Sequence, residues 1–133
     1  MFADDKPLVV LGAVRYVGWN RYPEYEGLCF GKNRFVVAHQ EKDTVETYLA
    51  LEGVAIDESL KANKNNFTIF YEEVERVELQ KSMRNIQLKV TANKNKYTWS
   101  VKVMPHNEFL GLDDVKRVLQ PIFDWKLETP DEF

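Results

Sequence analysis

Cysteine is almost missing from this chain of 133 residues, where Cys29 stands alone. A single thiol forms no intrachain disulfide, so the composition suits a reducing compartment. Glycine is sparse, with six residues scattered along the chain, and no glycine-rich phosphate loop is present. Positive charge is not in excess either: the formal net charge is -3, which leaves no global field to attract nucleic acid or anionic lipid. Long apolar runs are lacking. Leu8-Val9-Val10-Leu11-Gly12-Ala13-Val14 is cut by Arg15, well short of the roughly 20 residues of a membrane-spanning helix. Met1 to Pro7 is acidic, without the basic segment that opens a signal peptide. Together these absences predict a cytoplasmic chain.

What is present is enough for a core. A hydrophobic fraction of 44% and an aromatic fraction of 13% are those of a folded globule. A chain of this length buries a real core without metal or disulfide support. No linker or repeat divides it, so we expect one domain over 1–133 with short flexible ends near 1–6 and 128–133.

Only one long stretch is helical in period. Leu112, Val115, Val118, Leu119, Ile122 and Phe123 share a face, with charged residues opposite, which predicts a helix over Leu112 to Trp125. Pro121 sits inside it and predicts a kink. Most of the rest reads as strands. Leu8 to Gly18 is valine-rich; Leu28-Cys29-Phe30 and Arg34 to His39 flank a turn at Gly31-Lys32-Asn33, with Asn33 suited to a left-handed conformation. Thr44 to Leu51 alternates like a half-buried strand. Asp57 to Asn66 is polar, with a short helical turn capped by Asp57. Phe67 to Tyr71 is a strand, and Glu72 to Leu79 fits helix or strand. The clearest hairpin joins Asn85–Thr91 to Lys96–Val103. It turns Ile86, Leu88 and Val90 inward opposite Tyr97, Trp99, Val101 and Val103. Trp19 to Gly27, broken by Asn20, Pro23 and Gly27, reads as a loop. The fold class expected is mainly β (α+β): a bent antiparallel sheet or partly open barrel of about seven strands, capped by one C-terminal helix.

This order of elements resembles the pleckstrin-homology-like superfold, a bent barrel plugged by a C-terminal helix. Gly27-Leu28-Cys29-Phe30-Gly31-Lys32-Asn33-Arg34-Phe35-Val36-Val37 looks like the hairpin of bacterial PH and GRAM-type domains. Phe67-Thr68-Ile69-Phe70-Tyr71-Glu72-Glu73-Val74-Glu75-Arg76-Val77-Glu78-Leu79 resembles the aromatic and acidic turn and strand that follow in those domains. Glu41 to Asn66 departs from the family, being longer than its usual connection. The resemblance implies binding rather than catalysis, with lipid headgroups, peptides or self-assembly as its uses.

Candidate site residues fall into groups. Trp19, Arg21, Tyr22 and Tyr25 lie among Asn, Pro and Glu, outside any strand pattern. Aromatics and arginine anchor interfaces most often, so a protein partner or a second copy is the leading expectation. The alternative use of these rings is to plug the open end of the barrel. Lys32 and Arg34, with Arg15 or Arg21 upstream, resemble the basic pair of phosphoinositide-binding PH domains. Arg21, Lys32 and Arg34 therefore form one alternative anion site. Lys89, Lys96 and Lys102, with Lys94, Lys81 and Arg84 near them, form another on the outward hairpin face, open to peripheral anionic lipid. No aromatic interleaves there, which argues against nucleic acid. His39, Glu41 and Asp43 make an incomplete metal trio, and His106 and Glu108 fall in a connection. Cys29 has no His or Asn partner near it in sequence. The expectation is a non-enzymatic module with no metal or cofactor.

Overall fold

A computed structural model describes residues 5–82, 85–105, 111–124 and 127–128. The expectations for the chain ends beyond these, for Arg84, His106 and Glu108, and for the end of the helix at Trp125 lie outside the described residues. The elements are β1 (Val9–Val17), β2 (Tyr22–Phe30), β3 (Arg34–Gln40), α1 (Val45–Glu52), α2 (Ile56–Lys61) and β4 (Phe67–Phe70). A 3₁₀ turn (Tyr71–Glu73) leads to β5 (Val74–Ser82), β6 (Asn85–Ala92), β7 (Asn95–Val103), α3 (Leu112–Phe123) and β8 (Leu127–Glu128). The strands form one open eight-stranded sheet in the order β4-β3-β2-β1-β7-β6-β5-β8. Its neighbours are antiparallel except β8, which adds to β5 in parallel. The open β-rich sheet with its C-terminal helix is the class expected; among the described residues it has one more strand and two more helices.

The sheet is strongly bent, as its contacts require. β4 and β7 are separated by three strands in the sheet order, yet the Phe67 and Tyr97 rings stack at 5.5 Å. The concave face holds the main core, including Leu11, Leu28, Phe30, Phe35, Leu79, Leu88 and Trp99. α3 closes one end of it. Val115, Leu119 and Phe123 are buried at four-residue steps, and Phe123 meets Phe30, Phe35 and Tyr71 edge-on at 6.0, 6.3 and 5.5 Å. The helix runs through Pro121 to Phe123 without a break.

Residues 41–66 correct the sequence expectation. Thr44 to Leu51 is not a strand but α1, capped where the Thr44 hydroxyl accepts the Thr47 N–H. Its seam is narrow, only Tyr48 and Leu51 being buried, so tertiary packing rather than periodicity makes the helix. That packing is on glycine. A methyl at Gly12 in β1 would overlap the Tyr48 ring, one at Gly27 in β2 the Leu51 side chain, and one at Gly31 the Ile56 side chain of α2. Glycines within strands mark such close approach. α1 and α2 thus cover the convex face of β1–β3 with a second small core of Val10, Cys29, Val36, Ala38, Tyr48, Leu51 and Ile56. Asp57 does not cap α2; Ala55 stands at that position, and the Asp57 carboxylate pairs with Arg34.

Trp19 to Gly27 is not a loop either. Only Gly18 to Arg21 turns, closed by Arg21 N–H donating to the Gly18 carbonyl at 3.1 Å, and β2 begins at Tyr22. Pro23 is tolerated because it lies beyond the end of β3, whose last partner in β2 is Tyr25. On that side no ladder needs its missing N–H. Asn33 has no positive φ; that conformation falls to Asn93 and Lys94 at the β6–β7 turn, and to Gly18 and Arg21. The inward set of the β6–β7 hairpin is as expected for Ile86, Leu88, Val90, Tyr97, Trp99 and Val101, with Trp99 fully buried. Val103, beside the register shift at Gly12 and Ala13, packs instead against the convex-face core. Glu72 to Leu79 splits between the 3₁₀ turn and β5.

Candidate functional site

The β1–β2 hairpin outruns both of its neighbours. β1 pairs with β7 only at Gly12, Ala13 and Val14, and β3 leaves β2 at Tyr25. Beyond those points Arg15–Val17 and Tyr22–Glu24 pair only with each other, forming a two-stranded arm. Trp19 stands at its apex, 93% exposed, with Tyr22 at 62% and Tyr16 at 51%. The register puts Tyr16 opposite Pro23 on one face, and Tyr22 opposite Val17 on the other. The tip is therefore apolar on both faces. Arg21 takes a φ of 57°, a region unfavourable to most non-glycine residues, and places its guanidinium 5.8 Å from the Tyr16 ring centre. Tyr25 is half-buried and paired with Val14 and Gln40, so it belongs to the body of the sheet.

These rings do not plug the open end of the sheet; other residues do. Trp99 stacks on Tyr97 at 5.7 Å and Tyr97 on Phe67 at 5.5 Å, while the Arg15 guanidinium lies 5.4 Å from the Phe67 ring centre. Beneath them Glu26 is buried at 4% exposure. Its Oε1 accepts from Trp99 Nε1 and Arg15 Nε, and its Oε2 from the Arg15 terminal nitrogen, all at 2.8 Å. The hydrogen bond from Arg15 to Glu26 raises the guanidinium pKa further. The cluster sits just past Val14↔Ser100, the last β1–β7 pair. Side chains there take over the join that the backbone ladder drops. Glu26 falls in the segment whose Asn20, Pro23 and Gly27 predict a loop; its two-residue spacing from Leu28 and Phe30 is the sequence signal for its inward place.

The other end of β2 holds a cleft of about 290 Å³ between the start of β1, the β2–β3 turn, α2 and the end of β4. Leu8, Ile56 and Phe70 supply apolar wall, and Lys6, Lys32, Arg34, Asp5 and Asp57 the charges. Lys32 and Arg34 are thus together, joined by Lys6, but Arg34 is committed to Asp57 and lies 6.0 Å from the Phe70 ring. Arg21 is not with them. It precedes β2 while Lys32 follows it, and a nine-residue strand separates its ends by about 30 Å.

Lys89, Lys96 and Lys102 do share the outward face of β6–β7, interleaved with other groups. Lys89 is opposite Glu78, Lys96 opposite Thr91, and Lys102 donates to Asn85 at 3.0 Å. Arg76 beside them pairs with Glu128 at 3.0 Å and Glu78 at 3.6 Å. His39, Glu41 and Asp43 are not gathered: His39 faces Glu24 at 3.4 Å, and Asp43 accepts the Tyr48 hydroxyl at 2.8 Å. Among the described residues no group of three or more His, Cys, Asp or Glu is placed to hold a metal ion. Cys29 is fully buried, and desolvation pushes its thiol up to about 12, away from nucleophilic use. Among the described residues no helix is long and apolar enough to cross a membrane.

Neither a family model nor a curated protein sequence matches the chain. Among solved structures it is similar to the hSac2 domain from human phosphoinositide phosphatase Sac2. The TM-score is 0.49 at 13% identity, over 93% of this chain and 75% of that one. A likeness of that degree carries no argument about what this chain does.

Proposed function

We propose that this chain is a non-enzymatic binding module whose contact element is the β1–β2 arm and whose partner is a protein. The observation that carries the reading is Trp19 at 93% exposure on the apex of that arm, flanked by exposed Tyr16 and Tyr22. A folded chain gains nothing in its own stability from three large rings left in water. Buried against a partner, Trp, Tyr and Arg are the residues that most often dominate binding energy. The left-handed Arg21 supports the same reading, because glycine or asparagine would hold that turn at lower cost. We further propose a bacterial PH or GRAM-type domain acting in the cytoplasm.

The test is pull-down from the native cell with the intact chain and with Trp19→Ser plus Tyr22→Ser, both checked for unchanged melting. Loss of the captured protein with the double variant is expected; equal capture by both defeats the arm as the contact. The anionic-ligand reading has less behind it, since its cations are divided between distant places or already paired. Sedimentation with anionic vesicles at low salt tests it, and pelleting that Lys32→Glu and Lys89→Glu abolish would revive it.

A further inference from the structure

An arm that is apolar on both faces suits end-on entry into a recess rather than docking of one face on a flat surface. The molecule carries such a recess. The cleft between Leu8, the β2–β3 turn, Ile56 and Phe70 measures about 290 Å³, near the lower limit for small-molecule sites. That is room for one large side chain. Among the described residues Leu8, at 64% exposure, is the one other strongly exposed large apolar residue apart from the tip rings and valines of the α1–α2 region. Lys6 and Lys32 stand at the rim without a hydrogen-bonded or ionic partner among the described residues. Apolar walls with a cationic rim are the surroundings an indole ring prefers, because cations are drawn to its face.

We infer that the arm's partner is a second copy of this chain, with Trp19 of one copy seated in the Leu8–Phe70 cleft of the next. This rests on the arm being the contact element and goes further by naming what receives it. Charge agrees with the pairing: Arg21 beside the tip has no carboxylate partner among the described residues, and Asp5 in the cleft lining offers it one. A tip cannot enter its own cleft, since β2 holds the two about 30 Å apart. The contact is therefore heterologous, tip to cleft, and each added copy leaves one tip and one cleft unfilled unless the rotation closes a ring.

Analytical ultracentrifugation of the whole chain tests this with two single variants and their mixture. Trp19→Ser removes the tip and leaves the cleft; Leu8→Asp removes the cleft wall at an exposed position and leaves the tip. Wild type is expected to gain mass with concentration beyond a dimer, and each variant alone to stay a monomer. Mixed in equal amounts, the two variants should form a one-to-one dimer and nothing larger, because only one intact tip and one intact cleft remain between them. Lys32→Glu, in the exposed turn, repeats the cleft test without touching an apolar residue. A wild type still monomeric at about 1 mM overturns the inference, as does Leu8→Asp assembling like wild type, or variants that fail to complement. A monomeric wild type that loses a captured protein on Trp19→Ser leaves the arm reading standing and removes only the second copy.

Discussion

Glu26 is the residue on which the open end of the sheet depends. It is buried, takes three hydrogen bonds from Arg15 and Trp99, and so ties β1 to β7 just past Val14↔Ser100, where the ladder between those two strands ends. Removing one partner of such a pair leaves the other charge with its desolvation uncompensated. Glu26→Ala is therefore expected to cost about 3 kcal/mol, the lower end for a buried pair because Arg15 reaches solvent. Glu26→Gln keeps an acceptor for Trp99 and should fall between wild type and Ala. Urea unfolding followed by far-UV circular dichroism measures both, and a change of under about 0.5 kcal/mol for Glu26→Ala would remove the cluster from the account. Cys29 makes a second prediction. Burial raises its thiol from 9.0 to about 12, so the folded chain keeps a proton that the unfolded chain gives up. Its contribution to stability is whole below about pH 9 and is lost as pH rises toward 12. Tyr48 and Tyr71 shift upward as well, both through desolvation first. Cys29→Ala should consequently flatten, without abolishing, the fall in the urea midpoint between about pH 9 and 10, the part due to the tyrosines being common to both chains. An unchanged profile would count against the burial of that thiol.

Glycine makes α1 possible as an element, and it explains why the sequence hid that helix. Val45, Thr47, Leu49 and Leu51 alternate as a strand does, and only Tyr48 and Leu51 are buried in the helix that forms. Its amphipathic pattern is therefore too narrow to read. The signal lay elsewhere, in Gly12 and Gly27 at matching positions of paired strands. The arm was obscured by the opposite effect, a turn-like composition of Asn20 and Pro23 in a segment that pairs on one side alone. α3 and the β6–β7 hairpin were legible because each buries a full periodic face. Gly12→Ala and Gly27→Ala are each expected to destabilise by about 1–3 kcal/mol through overpacking. Leu51→Ala should recover part of the Gly27→Ala loss, since the two side chains contend for one space. Strict additivity in that cycle would mean α1 does not sit on Gly27. Leu119→Ala in α3, with nothing to refill its place among the core rings, should cost about 2–5 kcal/mol.

Across the whole molecule the pairing is uneven, and stability should follow it. β1 from Gly12 to Val14 lies between β2 and β7, and β2 from Tyr25 to Phe30 between β1 and β3. Both segments also have a core on the concave face and α1 or α2 on the convex one. The arm has one ladder, no helix over it and rings in water, so it should open without the rest unfolding. Amide exchange is expected to be at least about 100-fold faster at Val17, Tyr22 and Glu24 than at Leu11, Leu28 and Val36, whose opening approaches global unfolding. Concentration then separates two physical situations. In a chain whose tip stays in solvent, arm exchange is the same at any concentration. In one whose tip enters the cleft of a neighbour, exchange at Val17 and Tyr22 slows as the protein is concentrated, while exchange in the core stays constant. The same slowing should appear at Gly31 and Lys32 beside the cleft, and Leu8→Asp should abolish it at both places. Slowing at the arm alone would point to tips meeting tips, a symmetric contact that the arrangement of cleft and arm does not favour.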